Sequence, residues 1–189
     1  MVRSPNMNRR KSLSFFLTMI VAALFVTLGT PKDASAQAGW IHTGDAVRTK
    51  SVGPFTAKVY SIRHDMKEKV AKSKPAVIEA DVDKKFTWRM LRDVDSKKIQ
   101  KALQEAFALN GYGDGGKIGQ FVAAFNKDEV KEDSAVVITY NAANKTTTIW
   151  VQNMGTATVA GADFMKAVWR IWFGKIDQPS MGDQLISKL

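Results

Sequence analysis

The chain has 189 residues, with 28 Lys and Arg against 18 Asp and Glu, two His and no Cys. Disulfides are excluded, and a zinc site built on Cys or His is poorly supplied. The net charge of +10 overstates the basicity of the folded part: residues 37–189 hold 23 basic and 17 acidic side chains, a net +6.

Residues 1–36 read as an export signal. Arg3, Arg9, Arg10 and Lys11 form a positive leader, Leu13 to Leu28 is an almost unbroken apolar run, and Ala34-Ser35-Ala36 is a small-x-small cleavage pattern. The run is short of the roughly 20 residues a membrane span needs. Ser12 stands where a twin-arginine signal wants Phe, which favours the general secretory route. The expectation is an exported protein, periplasmic or secreted, with no stable membrane span after cleavage. Gln37 to Leu189 remains as one domain, long enough to bury about 70% of its unfolded surface.

In chain order, Trp40 to Gly53 reads as polar and turn-rich. Phe55 to Ile62 is rich in strand formers. Met66 to Lys74 is a lysine-rich helix or loop closed by Pro75. Ala76 to Val82 and Phe86 to Leu91 read as two strands. Asp95 or Ser96 caps a helix through Leu109, with Ile99, Leu103, Ala106 and Phe107 at helical spacing. Gly113 to Gly116 is a loop and Ile118 to Phe125 a second helix. Ala135 to Tyr140 and Thr146 to Val151 pair across the turn Asn141 to Asn144. A short strand near Gly155 to Val159 leads into the aromatic helix VAGADFMKAVWRIWFG, Val159 to Gly174. Its two adjacent apolar stripes, Phe164, Val168, Ile171 and Met165, Trp169, Trp172, predict burial over more than half its circumference. Leu185 to Leu189 reads as a last turn. Strands, two helices, strands, helix is the order of an α+β layer protein with an antiparallel sheet.

Several motifs lead nowhere. Gly111 to Lys117 has P-loop spacing, but Ile118 stands where magnesium needs Ser or Thr, and the loop follows a helix. No GxSxG elbow is present. The pairs Asp81/Asp83 and Asp93/Asp95 lie near turns and helix starts, where aspartates cap. Lys84, Lys85, Arg89 and Arg92 interleave with Phe86 and Trp88 as in single-strand binders, but the flanking aspartates would repel phosphates. No nucleic-acid partner, metal or cofactor is expected.

Five segments in order resemble the chalcone isomerase-like family, in its exported bacterial branch. They are Arg48, FTAKVY (Phe55 to Tyr60), FTWRMLRDVDSKKIQKAL (Phe86 to Leu103), ITYNAANKTTTIWVQN (Ile138 to Asn153) and the aromatic helix. The resemblance implies an α+β open-faced β-sandwich, a curved antiparallel sheet with helices on one face and a ligand cleft between them. Isomerases of the family use an arginine and a threonine on early strands, with a tyrosine and an asparagine around the first long helix. Asp95 to Gln104 holds neither of the last two, so that catalytic set is not reproduced. Other members bind fatty acids without catalysis, holding the carboxylate with an arginine and a tyrosine, which Arg48 and Tyr60 match in order. Exported relatives often carry a second tyrosine where Asp65 stands, and a carboxylate inside the cleft would oppose an anionic ligand.

The leading expectation is therefore a non-catalytic exported protein that binds a small amphipathic molecule such as a fatty acid. Arg48 and Tyr60 would hold the head, with Phe55, Val59, Trp88, Phe164 and Val168 near the tail. A guanidinium grips a carboxylate with two parallel hydrogen bonds. A tail of about 14 methylenes gains on the order of 11 kcal/mol gross on burial, much of it offset by ordering and association. The alternative for Arg48 and Tyr60 is a structural ion pair and a core phenol. Two other readings stand beside this one: an isomerase or lyase using Tyr60, His64 or Lys97, and an envelope interaction protein with a collapsed cleft. Oligomeric state is not readable.

Overall fold

The computed structural model describes residues 39–189; the expected export signal lies outside them. Eight strands and five helices follow in order: β1 (Ile41–Val52), β2 (Phe55–Met66), α1 (Lys74–Glu79), β3 (Lys84–Met90), β4 (Val94–Asp95), α2 (Ser96–Leu109), α3 (Gly115–Val122), β5 (Glu129–Val130), β6 (Ala135–Asn141), β7 (Thr146–Val151), β8 (Thr156–Ala160), α4 (Ala162–Phe173) and α5 (Ser180–Leu185). Six strands form one open antiparallel sheet in the order β1-β2-β3-β6-β7-β8, and β4 and β5 make a separate two-stranded ribbon. This is the expected α+β architecture. No helix among the described residues is long and apolar enough to cross a membrane.

Side chains alternate across a strand, and that alternation shows where the helices lie. Along β3, Lys84, Phe86, Trp88 and Met90 are buried while the residues between them are not. Their register partners Met66, His64, Ile62 and Tyr60 on β2 share that face. The helices cover it, and the opposite face carries polar and half-buried side chains. The aromatic helix α4 buries eight of its residues, from Phe164 to Phe173, each large one contributing on the order of 2 kcal/mol. Gly161 leads into it at φ 115°, where a Cβ would stand 2.2 Å from the Asp163 carboxylate.

Several elements differ from expectation: the β4–β5 ribbon had no counterpart, and α3 starts at Gly115, inside the expected Gly113–Gly116 loop, and ends at Val122 instead of Phe125. The turn-rich segment is strand β1, the full partner of β2. Its register slips between His42 and Gly44 and again between Arg48 and Thr49. Each slip shifts the two-residue period, so no clean alternation is legible. Strand β2 also runs four residues past Ile62. The strand expected over Ala76 to Val82 is largely helix α1. Ser73 Oγ accepts from Ala76 N at 3.3 Å, and Pro75 lies in the first turn, where its missing N–H costs nothing. The proline therefore opens a helix instead of closing one. The last helix precedes the expected Leu185–Leu189 turn, and its end rests on β1: a Cβ on Gly44 would meet Gln184 O at 2.1 Å.

Candidate ligand-binding cleft

A cleft of about 780 Å³ opens between the β1–β3 part of the sheet, helix α2 and the C-terminal end of α4. Its volume falls within the usual range for small-molecule sites. Val59, Tyr60, Trp88 and Met90 form the sheet wall. Ile99, Ala102, Leu103 and Ala106 form the α2 wall, and Ile171 and Trp172 close the end.

Polar groups gather at the Arg48 end. Arg48 and Tyr60 are directly paired across β1 and β2, so their side chains leave the same face. The Tyr60 ring stacks on Trp88 at 4.7 Å and 10°, and Trp88 meets Trp172 edge-on at 5.3 Å. Trp172 Nε1 donates to the Tyr60 hydroxyl at 3.1 Å. Indole N–H only donates, so this bond uses a phenol lone pair and leaves the phenol O–H to give; it has no acceptor among the described residues. Burial pushes the Tyr60 phenol up, against the Trp172 donor and the Arg48 charge, so Tyr60 is a neutral donor at ordinary pH. Trp88 Nε1 is buried with no partner among the described residues.

Arg48 ion-pairs with Asp177 at 2.6 Å, and Lys50 reaches the second oxygen of that carboxylate at 3.2 Å. Arg92, Lys98 and Lys175 also line the cleft, without ion-pair partners among the described residues. The acids nearby are engaged elsewhere. Asp95 caps α2 through Lys98 N, Asp93 accepts from Glu132 N at 2.7 Å, and Glu129 pairs with Lys131.

Of the expected site residues, Arg48, Val59, Tyr60 and Trp88 line the cleft, while Phe55, Phe164 and Val168 lie outside its lining. Phe55 sits beside the β1–β2 turn and is 78% exposed. Phe164 begins α4 and packs against Phe107 at 5.6 Å and Phe121 at 5.4 Å. Val168 is fully buried. The reason is helix length: eight residues from Phe164 to Trp172 span roughly 12 Å at 1.5 Å per residue, and the cleft meets only the later end. The α2 wall was legible only as core. Its signal is a wide apolar stripe, Ile99, Ala102, Leu103, Ala106 and Leu109, whose last member is 54% exposed.

Asp65 does not enter the cleft. It lies on the opposite sheet face from Tyr60 and His64, and takes the Arg63 guanidinium at 2.8 and 3.0 Å. Of the three groups considered for acid–base chemistry, only Tyr60 lines the cleft. His64 is buried, and its Nε2 accepts from Trp169 Nε1 at 2.9 Å. Lys97 is exposed on α2. The P-loop-like lysine, Lys117, pairs with Asp163 at 2.9 Å. Among the described residues no group of His, Asp and Glu side chains is placed to hold a metal.

An open antiparallel sheet with helices on one face and a cleft between the layers defines an open-faced sandwich. The sequence profile described as chalcone isomerase-like matches residues 41–183; the chain belongs to that family. A solved fatty-acid binding protein of Arabidopsis thaliana shares the fold, with a TM-score of 0.64 and 13% sequence identity over 80% of this chain and 89% of that one. No curated protein matches the chain in sequence.

Proposed function

We propose that this is an exported, non-catalytic protein that binds a small amphipathic carboxylate, such as a fatty acid, in the cleft. The observation that carries it is the unspent Tyr60 O–H, set beside Arg48 at the end of an apolar trough. Tyr60 is half-buried at the cleft wall, so this O–H is available to a ligand carboxylate, and a hydrogen bond to a charged group contributes about 1.5–3 kcal/mol. The aromatic wall of Tyr60, Trp88 and Trp172 and the aliphatic wall of α2 suit a methylene chain, which needs contact area but no hydrogen bonds. The fatty-acid binding protein that shares the fold supports the same ligand class.

Lipid extracted from protein purified from its native host tests this. Bound fatty acid and a rise in melting temperature on adding dodecanoate are expected, with dodecanoate affinity falling at least about tenfold in Arg48→Ala, the loss of a charge-assisted pair. Protein that emerges empty and is indifferent to fatty acids would sink the reading. Export is tested by sequencing the N-terminus of the extracytoplasmic protein, where Gln37 is the expected first residue.

A further inference from the structure

The head of the cleft already holds a carboxylate, and it belongs to the chain. Asp177 lies in the segment between α4 and α5 and lines the cleft. One of its oxygens meets Arg48 at 2.6 Å and the other meets Lys50 at 3.2 Å. Partial burial works against this charge, but Arg48 and Lys50 outweigh it and hold the carboxyl below the usual range.

The segment is fastened on both sides of Asp177. Before it, Asn110 grips the backbone of Lys175 twice, donating to the carbonyl at 3.0 Å and accepting from the N–H at 2.8 Å. After it, Gln178 docks into the second register slip of β1. Its amide donates to Val47 O at 2.8 Å, and its oxygen accepts from Thr49 N at 3.0 Å. Asp177 is thus presented to Arg48 by a braced loop, at high effective concentration. Yet the contact is open to exchange from the Asp177 side: Asp177 is 54% exposed while Arg48 is 18% exposed, and solvent screens a pair with one wet partner.

We infer that Asp177 is a built-in competitor of the ligand's carboxylate, holding Arg48 until a ligand displaces it and so setting both affinity and head-group preference. The inference rests on reading the cleft as a carboxylate site. Two carboxylates at one guanidinium repel, so a carboxylate ligand must move Asp177 aside or bind next to a like charge. A neutral head group meets no such opposition. The β1 slip between Arg48 and Thr49, which seats Gln178, is on this view what lets the loop reach Arg48.

The test measures displacement of a fluorescent fatty-acid reporter by dodecanoate and by dodecanol, on the wild-type protein and on Asp177→Asn and Asp177→Ala. Both variants should bind dodecanoate about fivefold tighter, the equivalent of one released half-exposed pair, with dodecanol unchanged. Dodecanoate affinity that is unchanged or weaker in both variants, while Arg48→Ala still loses binding, would overturn the inference and leave the cleft reading intact. Equal tightening for both probes would also overturn it, because loosening of the loop would then be the cause. If neither the wild-type protein nor any variant takes up the reporter, the cleft reading falls and this inference with it.

Discussion

Helix α4 offers two indole N–H groups to strand β2, three residues apart, and they end in opposite ways. Trp169 donates to His64 Nε2 at 2.9 Å. That fixes the tautomer, because the proton must then sit on Nδ1. Nδ1 lies 2.6 Å from Thr43 Oγ1, which donates onward to Leu185 O at 2.7 Å. The chain closes on a backbone carbonyl, so every member is satisfied. Burial, with Lys84 and His42 nearby, pulls His64 well below the usual imidazole range and keeps it neutral. Trp172 donates to Tyr60 in the same manner, but no group among the described residues accepts the Tyr60 proton. A closed polar network ties α4, β2, β1 and the C-terminal end of α5 together. The open one lies four residues away along the same strand face, at the cleft. The completeness of hydrogen bonding separates the closed network from the cleft end, although both are aromatic.

Breaking the closed network should cost most. His64→Ala orphans Trp169 Nε1, takes from Thr43 Oγ1 the N–H it accepts and leaves a cavity, so a loss of about 3–4 kcal/mol is expected in urea denaturation. The folded fraction should keep its dodecanoate affinity; a matching loss of affinity would merge the two sites into one.

Lys84 extends the closed end. Its ammonium donates to the carbonyls of Val77, Ile78 and Ala80 at 2.7, 3.2 and 2.8 Å, where helix α1 ends, and it lies 5.0 Å from the centre of the Trp169 ring. Burial nevertheless lowers its pKa to about 7 from 10.5. Below about pH 7 both folded and unfolded chains hold this proton, and its contribution to stability is flat. Above it the unfolded chain binds a proton that the folded one has released, so stability rises with pH toward 10. Lys84→Met should remove that slope and cost about 2–3 kcal/mol at neutral pH through the abandoned carbonyls. A slope that persists in the variant would assign it to other groups, Lys85 first, since burial also lowers that lysine.

At the open end, Tyr60→Phe should weaken dodecanoate binding about fivefold to tenfold, one lost hydrogen bond to a charged partner. Its stability cost should stay near about 1 kcal/mol, because Trp172 loses its acceptor. A stability loss as large as that of His64→Ala would mean that the Tyr60 network is also structural. Trp88→Phe should have the smallest effect. It removes an indole N–H that has no partner among the described residues, which offsets the lost ring area, and a change within about 1 kcal/mol is expected.

Much of this was legible in the residues. Asp95 caps α2 as its position before a helical stripe predicts, and its side chain accepts from Lys98 N at 3.0 Å. The β6–β7 hairpin and α4 follow their patterns closely. Arg48 and Tyr60 emerged as a pair from the family resemblance, and their direct pairing across two strands brings them to one face. Arg48 lines the cleft and also makes the ion pair that the alternative reading expected. Strand β1 was hidden because its register slips scramble the alternation, and α1 because Val77 and Ile78 favour a strand locally while Ser73 and Pro75 start a helix.

By itself the sequence determined which segments are apolar enough to be buried, where α2 and α4 start and stop, and which family frame holds them. These are local properties, carried by side-chain period, capping and turn chemistry within a few residues. Only the tertiary structure decided which end of α4 faces the cleft, that Asp65 turns away from it, and that Asp177 reaches Arg48 across 129 positions of the chain. Those outcomes depend on strand register, on a helix longer than the cleft is wide, and on a loop braced at both ends. No local pattern encodes them, because each is fixed by contacts between residues far apart in sequence.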